Sequence, residues 1–483
     1  MRRTKIAVLL AAAGLLAGCS SPARAAGRGL PPINPTDFHH GAADPSGGAD
    51  AYLSVSTVAK HLNIPWGLSF LPSGDALVTE RSTLRILRVT PEGKITPLAR
   101  IGEATADNEG GLLGIAVSPN YKTDQTVYIY YTTKADNRIA RLRLDGHSRP
   151  KPIVTGIPKG GIHDGGRLAF GPDGYLYATT GEASRTEAAQ DLNNLGGKVL
   201  RMNTDGKPPP GNPFPHSLIW TYGHRNPEGL AWDADGTMYI SEIGQAVWDE
   251  LNIARPGGDY GWPNVEGIGG NPKYIDPVVA WHPEVGVAAG VAVIGETAVV
   301  TCLRGQRVYL VPLGKTPASA IPSAAASAGP PPGAAAPGGA APGGAAPGSA
   351  APGGAAPGGA APGGAAPGGA APGGAAPGGA APGGAAPGGA APGGAAPGGA
   401  GPSPAAPLTA GPPGALDSVR WRPNVGVAGR PVEALAFRYG RLRAALAAPD
   451  GSVWIATSNR DGRLPGGPAP DDDRILRLTF RTG

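Results

Sequence analysis

Three stretches of this chain carry side chains that could do chemistry together. Gly161-Ile162-His163-Asp164-Gly165-Gly166-Arg167-Leu168 holds a histidine among glycines. An imidazole, with an ordinary pKa of about 6.5, can take a proton near neutrality; the alternative for His163 is a histidine that caps a turn. Tyr222-Gly223-His224-Arg225-Asn226-Pro227-Glu228-Gly229 sets a guanidinium beside an amide. A fixed guanidinium can stabilise a negative oxygen formed during a reaction, and the alternative for Arg225 is a surface ion pair. In Gly440-Arg441-Leu442-Arg443 the arginines are two apart. On a strand that spacing puts both on one face, as planar donors suited to carboxylates. Further glycine-, acid- and aromatic-rich pieces are Glu109-Gly110-Gly111-Leu112-Leu113-Gly114, Ser241-Glu242-Ile243-Gly244, Asp249-Glu250 and Gly258-Asp259-Tyr260-Gly261-Trp262-Pro263-Asn264.

The elements that must position these residues follow from a repeat. From residue 51 to about 315, short β-branched, aromatic and apolar runs alternate with Gly, Asp, Asn and Pro turns, without a long helical period. Pro72-Ser73-Gly74-Asp75-Ala76-Leu77-Val78-Thr79 is a turn followed by a strand, echoed by Gly171-Pro172-Asp173-Gly174-Tyr175-Leu176, Asp233-Ala234-Asp235-Gly236-Thr237-Met238 and Pro449-Asp450-Gly451-Ser452-Val453-Trp454. Looser copies start at Ser118 and Gly295. A second strand follows each copy, as in Arg85-Ile86-Leu87-Arg88-Val89 and Lys198-Val199-Leu200-Arg201-Met202. Strand pairs repeating at about 50 to 60 residues are the signature of propeller blades, which bury their faces by stacking around an axis. The copies predict an all-β, six-bladed β-propeller.

The last interval is too long. Between Pro337 and Pro402 a proline falls at every fifth residue in an Ala-Pro-Gly-Gly-Ala pattern. A period of five excludes a collagen triple helix, and the composition cannot build a core. Residues 318–414 therefore read as a long disordered insertion between blades five and six. It divides a propeller segment 51–317 from a final segment 415–483 that carries the last blade and closure. This insertion accounts for much of the chain's 80 Gly and 55 Pro.

The N-terminal residues predict export. Arg2, Arg3 and Lys5 precede an apolar run, Ile6 to Leu16, too short to remain as a membrane span. Leu16-Ala17-Gly18-Cys19 looks like a bacterial lipobox, making 1–19 a lipoprotein signal with Cys19 lipidated; the alternative is an ordinary signal peptide. Residues 20–50, rich in Gly, Pro, Ala and Ser, read as a tether. The expected location is extracytoplasmic, anchored to the cell membrane. The other cysteine, Cys302, lies among apolar residues and is expected in a buried strand. The net charge of +5, from 41 basic and 36 acidic residues, comes with no basic block, so no nucleic-acid partner is expected.

In order and sequence, the motifs resemble the pyrroloquinoline-quinone (PQQ) dependent glucose/sorbosone dehydrogenase family, in particular its aldose sugar dehydrogenase branch. The resemblance runs from about Val55 to Val311 and resumes from Arg441 to Leu478. It implies oxidation of an aldose at its anomeric carbon to a lactone, with hydride passing to PQQ and electrons to an external acceptor. It makes His163 the general base, puts Arg225 and Asn226 at the reactive quinone carbonyl, and makes Arg441 and Arg443 a clamp for the cofactor's carboxylates. Arg304 falls where the glucose enzymes use lysine, Glu109 where they have an amide, and Ile162 where they have an acid. Glu182 matches a pocket acid. Calcium is implied twice: at the backbone carbonyls of Gly244 and Gln245, which makes the side chain at 245 nearly irrelevant, and at Glu250 with the Tyr260 carbonyl. Oxygen ligands are what this hard cation takes. A carboxylate at 109 facing an anionic cofactor calls for an arginine partner. Gly286-Val287-Ala288-Ala289-Gly290 departs from the family's turn. Two rivals remain: a calcium-dependent lactonase on a propeller, which has no need of Arg441 and Arg443 together, and a non-enzymatic propeller that binds a glycan or protein.

Overall fold

Each turn-and-strand copy forms the second strand of an antiparallel blade, and the run after it forms the third. The computed structural model describes residues 53–314, 418–423 and 425–480. The signal segment 1–19, the tether 20–50 and the insertion 318–414 lie outside the described residues.

The chain opens with β1 (Leu53–Ala59) and then lays down six blades. Blade one is β2 (Pro65–Phe70), β3 (Ala76–Glu80), β4 (Arg85–Val89) and β5 (Ile95–Arg100). Blade two is β6 (Leu112–Val117), β7 (Thr126–Thr132), β8 (Asn137–Arg143) and β9 (Lys151–Ile157). Blade three is β10 (Leu168–Phe170), β11 (Leu176–Thr180), β12 (Lys198–Met202) and β13 (Ile219–Tyr222). Blade four is β14 (Asn226–Trp232), β15 (Met238–Ile243), β16 (Asp249–Ile253) and β17 (Val279–Trp281). Blade five begins with β18 (Ala288–Ile294), β19 (Thr297–Cys302) and β20 (Val308–Pro312). After the insertion, β21 (Val419–Trp421) adds a fifth strand to blade four by pairing with β17, and β22 (Val432–Ala434) completes blade five by pairing with β20. Blade six is β23 (Leu442–Ala447), β24 (Val453–Thr457) and β25 (Ile475–Phe480), closed by β1 against β25 from Leu53↔Phe480 to Ala59↔Ile475. This pairing refines the place of the insertion: it enters after the third strand of blade five and leaves before the fourth.

Six apolar clusters fill the six gaps between neighbouring blades, so the ring of cores has no break. Aromatic pairs mark several of them: Trp281 with Tyr309 between blades four and five, Tyr128 with Phe170 between two and three, and Phe70 with Trp454 where blade six meets blade one. Trp281, Tyr309, Tyr128 and Trp454 are buried, and a large apolar side chain so buried contributes about 1.5–3 kcal/mol; Phe70 and Phe170 are half-buried. Cys302 lies buried in β19, and burial pushes its thiol pKa well up.

The innermost strands approach one another closely. In β2 the register shifts between Pro65 and Leu68, and the Gly67 amide, freed from the ladder, donates to Thr79 Oγ1 at 2.8 Å. That hydroxyl donates on to the Leu113 carbonyl of the next blade. Blade five does the same: the Gly290 amide donates to Thr301 Oγ1, which donates to the Arg443 carbonyl at 3.0 Å. A Cβ at Gly67 or Gly290 would come within 2.6 Å of the neighbouring blade's backbone, so only glycine permits the approach.

Strand direction alternates within every blade. Loops entering each first strand and loops joining second to third strands therefore emerge at one end of the sheets. The Gly/Asp turns of the repeat lie at the other end. His163, Arg225, Gly244, Arg304 and Arg441 all sit on the first set.

Candidate active site

His163 stands in the loop between β9 and β10, held there by contacts to almost every polar atom around it. Its backbone has φ of 63°, unusual for a residue with a side chain. Its amide donates to Glu109 Oε2 at 2.8 Å, and its carbonyl accepts from the Ala183 amide at 3.0 Å. Asp164 beside it accepts from Asn137 Nδ2 and the Gly160 amide, while Tyr130 donates to its carbonyl. Burial pushes the Asp164 carboxyl up to about 6. Gly165 has φ of 62°, and a Cβ there would meet the Gly181 amide nitrogen at 2.5 Å.

The imidazole is 11 % exposed. Nδ1 meets the buried Glu182 carboxylate. A carboxylate accepts only, so Nδ1 carries the proton and donates, and the ring lone pair lies on Nε2. That nitrogen faces Arg225 Nη2 at 2.8 Å. A guanidinium cannot accept, so it donates to the lone pair. This is the tautomer a general base needs.

Arg225 precedes β14. Its carbonyl accepts from the Glu182 amide at 2.8 Å, so the histidine's partner and the arginine are tied through backbone. The guanidinium donates to the Ile243 and Gly244 carbonyls and to Gln245 Oε1, and lies 5.6 Å from the Trp262 ring centre. The Gln245 side chain therefore does have a part, contrary to the expectation from backbone ligation alone: its amide oxygen holds the arginine. Asn226 turns its Oδ1 to the Gly165 amide and its Nδ2 to Glu228, so here it secures the His163 loop.

Further arginines converge from blades one, three and six. Arg443 is 3 % exposed and donates to Glu228 Oε2 at 2.6 Å, with Nε on Ser458 Oγ. Arg441 pairs with Asp461 at 3.0 Å. Arg463 donates to Glu109 Oε1 at 2.6 Å, which supplies the partner that a carboxylate at this position requires. Burial works against the Glu109 charge, but the His163 amide and Arg463 outweigh it and hold the carboxyl below its ordinary pKa. Arg167 donates to the Glu228 and Trp66 carbonyls and lies over the Trp66 ring. Burial lowers the pKa of both Arg167 and Arg81 to about 10; beside Arg81 the Arg443 charge adds to the effect. Arg81 Nε and Arg167 Nη2 are buried and have no partner. Five guanidinium groups thus face three carboxylates. Arg304 sits apart, exposed on the β19–β20 loop of the same end, with no ion pair among the described residues.

Comparison with known proteins places this arrangement. A model of the family described as glucose/sorbosone dehydrogenase matches residues 62–310, more than half of the chain. The chain belongs to this family. It is 35 % identical over 249 residues to quinoprotein glucose dehydrogenase B of Acinetobacter calcoaceticus and 32 % over 234 residues to aldose sugar dehydrogenase YliI of Escherichia coli. Each match covers 44 % of this chain, and they span 52 % and 63 % of those proteins' own lengths. The PQQ-bound aldose sugar dehydrogenase of Streptomyces coelicolor superposes with a TM-score of 0.63 at 35 % identity, covering 88 % of this chain and 98 % of that one. A putative glucose dehydrogenase of Thermus thermophilus gives a TM-score of 0.61 at 32 % identity, covering 88 % of this chain and all of that one.

The residues present fit the groups this family implies. A quinone bearing three carboxylates suits a site with surplus guanidinium charge and two buried, unsatisfied donors. For a hard cation, Gly244, Glu242, Glu250, Tyr260 and Glu266 line a cavity of about 10 Å³, room for a single water-sized atom. No cluster of three or more acid, His or Cys side chains is poised for a metal among the described residues, so an ion here would draw on carbonyl oxygens too. Glu250 accepts from the Gly267 amide and from Asn252 Nδ2. Burial, with the nearby Glu242 charge, pushes Glu250 up to about 8, and a divalent cation would relieve that repulsion. Arg225 already places a cation on the Gly244 carbonyl.

Sequence reasoning left several of these residues unassigned. Arg167, Glu228 and Glu242 stand inside the motifs that carried the resemblance, and their spacing from His163, Arg225 and Gly244 was the available signal. Arg81, Asp461, Arg463 and Glu266 lie in loops without a pattern.

Proposed function

We propose that this protein oxidises aldose sugars at the anomeric carbon to lactones, with PQQ and Ca²⁺ held at the loop-rich end of the propeller. The observation that carries the reading is the placing of His163 between Glu182 at Nδ1 and Arg225 at Nε2, beside the arginine cluster. Bound PQQ supplies a quinone that accepts hydride. Arg441, Arg443, Arg81, Arg167 and Arg463 would hold its carboxylates. His163 Nε2 takes the proton of the anomeric hydroxyl, and the Glu182 carboxylate then faces an imidazolium it can stabilise. Arg225 presents a cation to negative charge that develops on oxygen. Calcium would draw on the Gly244 and Gln245 carbonyls, and a second, structural ion on Glu250 and the Tyr260 carbonyl; the cavity that Gly244, Glu250 and Tyr260 line together has room for one of the two. Electrons leave to a separate external acceptor, and the lipobox reading of Cys19 would put the enzyme outside the cell, anchored to its membrane. The paired Arg441 and Arg443 favour this over a lactonase, whose neutral substrate needs no such clamp. The test is a titration of apo-protein with PQQ followed by absorbance. Saturable binding that strengthens with Ca²⁺ is expected; its absence would overturn the reading.

A further inference from the structure

The turn Gly244 to Trp248, between β15 and β16, is held in an unusual way. The amides of Gln245, Ala246, Val247 and Trp248 all donate to one oxygen, Glu266 Oε1, at 2.8, 3.1, 3.0 and 3.0 Å. Consecutive amides converging on an anion form a nest. Residues 245–247 are exposed, so packing does not hold the turn; Val247 is 47 % exposed. The Gly244 end is pinned by its own amide on Asp249 Oδ1 at 2.9 Å. A Cβ at Gly244 would meet the Trp248 carbonyl oxygen at 1.8 Å, so the turn has no room for a side chain there.

The consequence lies on the other side of the peptide planes. In a trans peptide the carbonyl of one residue points opposite to the amide N–H of the next. With the Gln245 and Ala246 amides turned onto Glu266, the Gly244 and Gln245 carbonyls must turn away from it. Gly244 O does so, and reaches the Arg225 guanidinium. We propose that Glu266 is a positioning residue that aims the Gly244 and Gln245 carbonyls at the catalytic cation. This rests on the proposed function, because it assumes that an ion takes those carbonyls.

Glu266→Ala leaves the four amides to water on an exposed turn, so the blades should fold while the carbonyl directions are lost. Glu266→Gln keeps an acceptor oxygen at the same reach but no charge. The experiment measures PQQ binding by absorbance across a Ca²⁺ series, alongside melting of the apo-protein. For Glu266→Ala, the Ca²⁺ midpoint is expected to rise at least tenfold, with PQQ affinity at saturating Ca²⁺ within about threefold of wild type. Glu266→Gln should fall between the two, which partial rescue requires and a filler role does not. If Glu266→Ala fails to fold, the Glu266→Gln midpoint carries the comparison. An unchanged midpoint in the folded variants overturns the proposal, as does an equal loss of PQQ affinity at every Ca²⁺ concentration. Wild-type protein that binds PQQ without regard to Ca²⁺, or not at all, overturns instead the functional reading beneath it.

Discussion

Replacing Arg443 separates what the arginine cluster does for the fold from what it does for a ligand. The guanidinium sits at 2.6 Å from Glu228 Oε2, with both side chains buried. Arg443→Ala leaves the Glu228 side chain with one long hydrogen bond, from Asn226 Nδ2 at 3.3 Å, while the Arg81, Arg167 and Arg463 charges still act on it, so the loss sits at the low end of the usual range. Breaking a buried pair from one side costs about 3–5 kcal/mol. At roughly 2 cal/mol/K of unfolding entropy per residue, that range lowers Tm by roughly 5–8 °C for a domain of this size, the lower value applying here. Arg443→Ala combined with Glu228→Gln removes the carboxylate charge that has lost its hydrogen-bonded partner and should recover part of the loss. PQQ affinity behaves differently. Losing one charge-assisted contact to a carboxylate costs about 1.5–3 kcal/mol, roughly 10- to 150-fold in Kd, in the single variant; the double variant, which also loses a negative charge beside the anion, regains part of this. Differential scanning calorimetry and absorbance titration on the same samples give both numbers. If the single variant binds PQQ as tightly as wild type, the clamp assignment is wrong. If the single variant loses no stability, the buried pair is not what holds this region.

Other outcomes follow from the same geometry. His163→Asn, which tolerates the positive φ, should lower kcat by about 10² or more with PQQ affinity nearly unchanged; near-normal turnover would place the base elsewhere. Asp164 is raised from its usual 3.8 to about 6 by burial, so between those values the folded protein holds a proton that the unfolded chain has released. Stability from this group is therefore greatest below pH 4, falls as pH rises through 6, and is flat above. Asp164→Asn keeps the acceptor for Asn137 and Gly160 and should remove that slope, worth about 3 kcal/mol at most. Urea melts at pH 4, 5, 6 and 7 give the comparison, and parallel profiles for the two proteins would contradict it. Replacing 318–414 by a short Gly/Ser linker should leave Tm and turnover nearly as they are, since β20 and β21 belong to adjoining sheets and closure cost changes by only about 0.6 kcal/mol per doubling of loop length. Unfolding of the shortened protein, or loss of turnover with PQQ still bound, would refute this.

The parts of the fold legible in the sequence were the second and third strands of each blade. Their apolar runs are buried throughout, as in Leu176–Thr180 and Lys198–Met202, and a Gly/Asp turn precedes most of the second strands. The inner strands hid because packing against a neighbour asks them for glycine and a bulge, as at Gly67 and Gly290, which breaks alternation. Outer strands hid because they are short or exposed, as in Val432–Ala434 and Ile95–Arg100. The site divides similarly. His163, Arg225, Arg441 and Arg443 were legible because motifs flank them. The Arg463 to Glu109 contact joins residues 354 apart in the chain, and nothing local announces it. Glu266 stands 18 to 21 residues beyond the amides it gathers, in a loop with no repeat of its own.

On the proposed function, neither PQQ nor Ca²⁺ alone makes this propeller a sugar dehydrogenase. The most direct measurement is dye reduction by purified apo-protein given PQQ, Ca²⁺, both or neither, with a panel of aldoses. Turnover that appears only with both additions, and yields lactone, is the predicted result. Lactone hydrolysis without quinone, or no aldose oxidation once PQQ is bound, would contradict it.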